Sequence, residues 1–230
     1  MLPGGATLAL QPGFGPTYWN LGLVLEDQGC FAEAYHCYCR GEEMGCVMPR
    51  WTAGDWRVIR RRVDLEARLE GIRRGDALPG RAAEIVELAE ICRIKDLSAT
   101  EAPLYSQALA MDSSLPRNLR AEHRFRAAVA ATRAGCGEGR DAADLDEAGR
   151  ARWRDQARRW LEEELAEWQE RIEKGRPDAR RARPGLAKWM KEPGLACVRE
   201  KSSREKLPAG EREAWRSLWE SVARLLERLE

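Results

Sequence analysis

The residues with the most chemistry to offer are seven cysteines and two histidines, and they are unevenly placed. Cys30, Cys37, Cys39 and Cys46 crowd into 17 residues with His36 among them, while Cys92, Cys136 and Cys197 are scattered and His123 stands alone. A zinc site and a thiolate nucleophile paired with an imidazole base are the two chemistries such a cluster suggests. Zinc sites usually present closely spaced cysteine pairs on turns. Cys37 and Cys39 are two apart inside a helical pattern, which sends them to different faces, and no second pair follows. The thiols are therefore expected to be structural, with no metal and no cofactor. A small Cys/His-dependent hydrolase is the competing class, but neither histidine has a nucleophile motif around it and catalysis needs convergent groups. No catalytic residue is assigned.

Other candidate motifs carry less. Gly135, Gly137 and Gly139 lack the Lys-Ser/Thr of a phosphate-binding loop and have no strand before them, so they read as a helix stop. Asp141, Asp144 and Asp146 lack the spacing and final Glu of a calcium loop. Arg60, Arg61 and Arg62 read as a solvated helix face near an acidic hairpin. The Arg-rich stretch from Gly175 to Pro184 has poor aromatic interleaving and flanking acids, so no nucleic-acid partner is expected.

Length and charge bound the elements that would position any site. The chain has 230 residues and 39 Lys and Arg against 38 Asp and Glu. Near-neutrality argues against a strongly basic nucleic-acid binder or an acidic solvating tail. No apolar run approaches the roughly 20 residues that span a membrane, and no basic-then-apolar export signal is present. A cytoplasmic, reduced setting and no membrane partner are expected. The neutrality is a sum of opposed parts: residues 1–47 hold one Arg and five acids, and residues 48–82 hold nine Arg and five acids.

Helical periodicity dominates, and no strand pattern of useful length is found. Tyr18, Leu21, Gly22 and Leu25 share one helical face, Gly29 breaks it, and Phe31, Ala34, Tyr38 and Gly41 share another. Two short helices joined by a tight turn make a helical hairpin. A helix over residues 55–72 follows, with stripes of Trp56, Ile59 and Val63 and of Leu65, Leu69 and Ile72. A second hairpin over residues 83–112 carries Ile85, Leu88, Ala89 and Cys92, then Tyr105 and Ala108, with Pro103 placing the second helix start near Glu101 or Ala102. The longest helix runs from Asp146 to Glu173, with Trp153, Ala157, Trp160, Leu161, Leu165, Trp168 and Ile172 as a core stripe. Its outer face offers Arg158–Glu162, Arg159–Glu163 and Glu167–Arg171 pairs. Pro208 opens a last amphipathic helix with Trp215, Leu218, Trp219, Val222, Leu225, Leu226 and Leu229.

Residues Tyr18, Leu21, Gly22, Leu25, Gly29, Ala34, Tyr38 and Gly41 resemble the tetratricopeptide repeat, a 34-residue helix–turn–helix unit. Residues Ala6 to Pro12 look like the tail of a preceding repeat, so the chain is expected to begin in mid-repeat. As a whole it is similar to the C-terminal tetratricopeptide region of bacterial multidomain serine/threonine kinases. The segments that carry this are Trp51/Trp56, HRFRAAVAATRAGCGEGRDAADLDEAGRARWR, the Trp160-Leu161 helix and the ending KLPAGEREAWRSLWESVARLL. The resemblance implies an all-α, tetratricopeptide-like helical-hairpin array, an α-solenoid with a helical cap. Its parts are a repeat tail over 1–14, a hairpin over 15–47, a helical connector over 48–82, a degenerate hairpin over 83–115, a long helical hairpin over 116–175 and the cap over 176–230.

No kinase motif is present: no Gly-rich loop after a strand, no His-Arg-Asp loop and no Asp-Phe-Gly. What the resemblance implies instead is a protein–protein interaction or scaffolding module, the C-terminal part of a longer protein, associated with a serine/threonine kinase and not itself an enzyme. A protein or peptide partner is expected on a concave surface lined by Trp19, Asn20, Leu23 and Asp27 of the first hairpin and Glu90 and Arg93 of the second. Self-association through the first hairpin is a further expectation. A non-functional gene remnant is the remaining alternative.

Overall fold

A computed structural model describes residues 14–46, 53–111 and 117–229. The expected repeat tail before Phe14, apart from that residue, and the segment around Trp51 lie outside them. Every regular element among the described residues is helical: α1 (Gly15–Asp27), α2 (Phe31–Glu43), α3 (Ala53–Arg73), α4 (Ala82–Ile94), α5 (Ser98–Met111), α6 (Arg117–Gly135), α7 (Glu147–Glu173), α8 (Ala182–Lys191), α9 (Ala196–Arg199), α10 (Lys201–Arg204) and α11 (Ala209–Glu227). Short 3-10 turns at Pro177–Arg181 and Pro193–Leu195 flank α8. No described helix is long and apolar enough to cross a membrane. The chain divides into two compact units: residues 1–80 with 90–95, and residues 81–89 with 96–230.

In the first unit, α1 and α2 form the expected hairpin. Gly29 turns the chain with φ +74°, a conformation that costs a side-chain-bearing residue energy. The Cys30 amide donates to the Leu25 carbonyl at 2.8 Å across that turn, the bond that closes a Schellman cap. Aromatic rings then fill the space that small residues leave. A Cβ on Gly22 would lie 2.4 Å from Tyr38, and one on Gly41 would lie 2.3 Å from Trp19, so both positions exclude even a methyl group.

This packing rotates α1 relative to the sequence expectation. The buried stripe is Gly15, Trp19 and Gly22, while Tyr18, Leu21 and Leu25 are only half-buried. The slot over Gly41 takes the largest ring available, and Trp19 fits it. The Trp56 ring meets Trp19 and Tyr35 edge-on, with centroids 6.3 and 5.8 Å apart.

Helix α3 buries Ile59, Leu65 and Leu69. Its basic and acidic groups meet the hairpin as the opposed charges suggest. Arg62 pairs with Glu26 and lies over the Phe31 ring. Lys95 donates to the Gly29 carbonyl at 2.9 Å and pairs with Glu66 at 2.5 Å.

The second unit is built on α5, α6 and α7 packed in succession. Helix α5 begins at Ser98, three residues ahead of the Glu101 expected from Pro103. The reason is an external cap: the Asp141 carboxylate accepts from the amides of Ala99 and Thr100 at 3.0 and 2.9 Å and from the Thr100 hydroxyl at 2.6 Å. Pro103 is then the sixth residue of the helix, and the single backbone donor it removes is tolerated there. Asp146 caps α7 by accepting from the Gly149 amide at 2.7 Å. Two of the three loop aspartates thus serve helix starts.

Most tryptophans of α7 and α11 are core, but Trp153 and Ile172 of the expected α7 stripe are only half-buried. Trp160, Trp168, Trp215 and Trp219 are all buried, with Trp189 of α8. Of the pairs expected along α7, Arg158–Glu162 and Arg171–Glu167 form at 2.5 and 3.0 Å, the second with its arginine buried. The expected Arg159–Glu163 pair is replaced: Arg159 meets Asp155 at 2.7 Å and Glu163 lies 3.7 Å from Arg124.

Arg154 ties three helices together. Its guanidinium donates to both Glu211 oxygens at 2.7 and 3.0 Å, to Glu147 at 2.6 Å and to the Gly135 carbonyl at 2.6 Å. Those groups belong to the start of α11, the start of α7 and the end of α6. Hydrogen bonding to Glu211 raises its pKa while burial opposes this, so the charge persists in the core. Cys136 and Cys197 are joined in a disulfide. The sequence predicts a reduced setting and pairs none of the cysteines; 61 residues separate these two, and sequence alone cannot bring them together.

Candidate functional site

The residues expected to face a partner, Trp19, Asn20, Leu23, Asp27, Glu90 and Arg93, all lie within the first unit. Helix α1 packs on α2 through Trp19 and Gly22, which leaves its opposite side to solvent. Asn20, Leu23 and Asp27 are exposed there, at the i, i+3, i+7 spacing of one helical face. Leu23 is 45% exposed, its neighbour Val24 is 38% exposed and Phe14, just before the helix, is 50% exposed. Glu90 and Arg93, on the last turn of α4, pair with each other at 3.1 Å.

Trp19 does not belong to this face. It is 3% exposed, and its indole Nε1 donates to the Cys46 carbonyl at 3.1 Å. It supports the surface from beneath. Val24, next to Leu23, is exposed although a strict repeat register does not count it as an outward-facing binding position.

Beside this face lies a part-buried polar contact. The Tyr38 hydroxyl donates to Glu26 at 2.7 Å. Burial, and then the Glu26 carboxylate, push the Tyr38 pKa upward, so the phenol stays protonated and keeps the hydrogen it donates to Glu26. The Cys37 thiol is also raised, first by burial and then by Glu33. That is the reverse of what a nucleophilic cysteine needs. Among the described residues, no group of three His, Cys, Asp or Glu side chains converges to hold a metal.

A cleft of about 360 Å³ in the second unit was not anticipated. Ser106, Leu109 and Ala110 of α5, Arg124 of α6, and Gln156, Trp160 and Glu163 of α7 line it. Arg124 is held at its wall by Glu164 at 2.9 Å and Glu167 at 2.8 Å. Glu164 is buried, and burial raises its pKa against the opposing pull of Arg124. The charges in this wall already satisfy one another, which fits a structural network. Sequence could flag Glu164 only through its place on the tryptophan stripe.

Comparison with protein-family models, with curated proteins and with solved structures returned no match.

Proposed function

We propose that this chain is a protein–protein interaction module that presents the outer face of α1. The carrying observation is the exposure of Leu23 and Val24 on a helix whose other side is locked by Trp19 and Gly22. Apolar side chains grouped on a rigid helix, with Asn20 and Asp27 to fix orientation, suit a helical or extended peptide. The eight-residue resemblance of Tyr18 to Gly41 to a tetratricopeptide repeat supports a helical-hairpin array of that type. Association with a serine/threonine kinase rests on the ordered sequence segments alone. The raised Cys37 thiol favours this reading over a Cys-dependent hydrolase.

Panning a random peptide library on the intact chain and on Leu23→Glu/Val24→Glu tests it. Peptides retained by the wild type and lost by the variant support the module. A library that enriches nothing, or enriches equally on both proteins, sinks it. Sedimentation of the same pair checks self-association through this face.

A further inference from the structure

The near-neutral chain hides a strongly basic segment. Residues 174–206 hold eleven Lys and Arg against four Asp and Glu, an excess of seven, so the rest of the chain sums to six negative charges. This segment runs from the end of α7 through α8, α9 and α10 of the second unit. Several of its cations are engaged. Lys174 pairs with Glu170 at 2.5 Å, and the Arg199 guanidinium donates to the carbonyls of Trp189 and Glu192 at 3.0 and 2.7 Å. Arg204 donates to the Arg199 carbonyl at 2.8 Å, and Lys188 lies over the Phe125 ring at 4.9 Å. Arg176, Arg180, Arg181, Lys191, Lys201 and Lys206 are exposed and form no ion pair among the described residues.

We infer that residues 174–206 form a docking surface for an acidic segment of a partner protein. Six unneutralised cations on the short helical turns of this segment and the links between them supply positive charge that the protein does not spend on ion pairs of its own, and such a surface attracts an oppositely charged partner and speeds its encounter. Three observations favour a protein over a nucleic acid. The one large aromatic ring in the segment, Trp189, is 3% exposed and stacks on Phe125 at 6.1 Å, so it offers no platform for a base. The acids Glu200 and Glu205 are exposed among the cations and interrupt the positive track that a phosphate backbone follows. Met190 is 38% exposed beside Lys191, an apolar contact that suits a polypeptide. This surface is distinct from the α1 face, and neither depends on the other.

The test is fluorescence anisotropy of the full chain with a labelled polyglutamate of about 20 residues, and with a labelled DNA duplex, at about 50 and about 200 mM salt. Polyglutamate is expected to bind, to weaken roughly tenfold across that salt step, and to outcompete the duplex. Arg180→Glu/Arg181→Glu/Lys191→Glu/Lys201→Glu is expected to abolish binding, while Leu23→Glu/Val24→Glu leaves it intact. Circular dichroism reports whether the charge-reversed variant is folded; if it is not, the corresponding four-glutamine variant, expected to bind at least threefold more weakly, decides. Three results overturn the inference: no binding of polyglutamate, a duplex bound as tightly as polyglutamate, or charge variants that bind like the wild type.

Discussion

Replacing Arg154 by Met removes the charge that joins α6, α7 and α11 while keeping most of the side-chain volume. Its guanidinium is 4% exposed and Glu211 is 23% exposed, so the variant strands a carboxylate that water reaches poorly and a Gly135 carbonyl that loses its donor. Breaking a buried pair on one side costs about 3–5 kcal/mol. The residual exposure of Glu211 places this case near the lower end, about 3 kcal/mol. Urea unfolding followed by tryptophan fluorescence is a suitable assay, because six of the nine tryptophans lie in the second unit. The partner substitution separates charge stranding from lost packing. If the cost comes from the orphaned carboxylate, Arg154→Met/Glu211→Leu recovers to within about 1 kcal/mol of the wild type, as apolar replacements of buried pairs do. A single variant that loses less than about 1 kcal/mol, or a double variant no more stable than the single, refutes the assignment of Arg154 as the tie between these helices.

Glycine position decides the sign of a Gly→Ala change. Gly22→Ala is expected to destabilise the first hairpin by about 1–3 kcal/mol through overpacking against Tyr38, read as faster amide exchange in α1 and α2. Gly210→Ala, on the first turn of α11 with open space around it, is expected to stabilise by up to about 1 kcal/mol, read in urea titrations. Cys136→Ser/Cys197→Ser is expected to lower stability by up to about 4 kcal/mol, from the loop that the bond closes across a separation of 61 residues; a midpoint insensitive to a reducing dithiol would falsify that role. Glu164 has a folded pKa raised above its unfolded value, so its stabilising contribution is complete below the ordinary carboxyl range and is lost as pH rises through the folded value. Glu164→Gln should flatten the fall of stability with pH over that window, and an unchanged slope would contradict the burial argument.

The helices themselves were legible, because apolar spacing and terminal Gly and Pro signals are local. The ends of α6, α7 and α11 follow from them closely. The face of α1 was not legible. Tyr18, Leu21 and Leu25 match a repeat register, but the slot over Gly41 takes Trp19 instead, and that choice depends on a residue 22 positions away. Helix α5 starts early for a similar reason, since its cap is Asp141 from a distant loop. Side-chain charge pairing was legible at i,i+4 for Arg158 and Glu162 but not for Glu163, which Arg124 of another helix draws away. The engagement of Arg154 with Glu211 and the joining of Cys136 to Cys197 are long-range events that periodicity does not carry.

The disulfide also has a mechanical meaning. Tension applied to the two ends of the chain passes from Cys136 straight to Cys197 and bypasses the covalent ring between them. The whole of α7, at 27 residues the longest described helix, sits inside that ring and carries no load. The separation of 61 residues corresponds to roughly 210 Å of contour at about 3.5 Å per residue. An oxidised molecule stretched in an optical trap is therefore shorter at full extension than a reduced one by about that length. The same ring keeps the two sides of a proteolytic cut after α7 attached to each other.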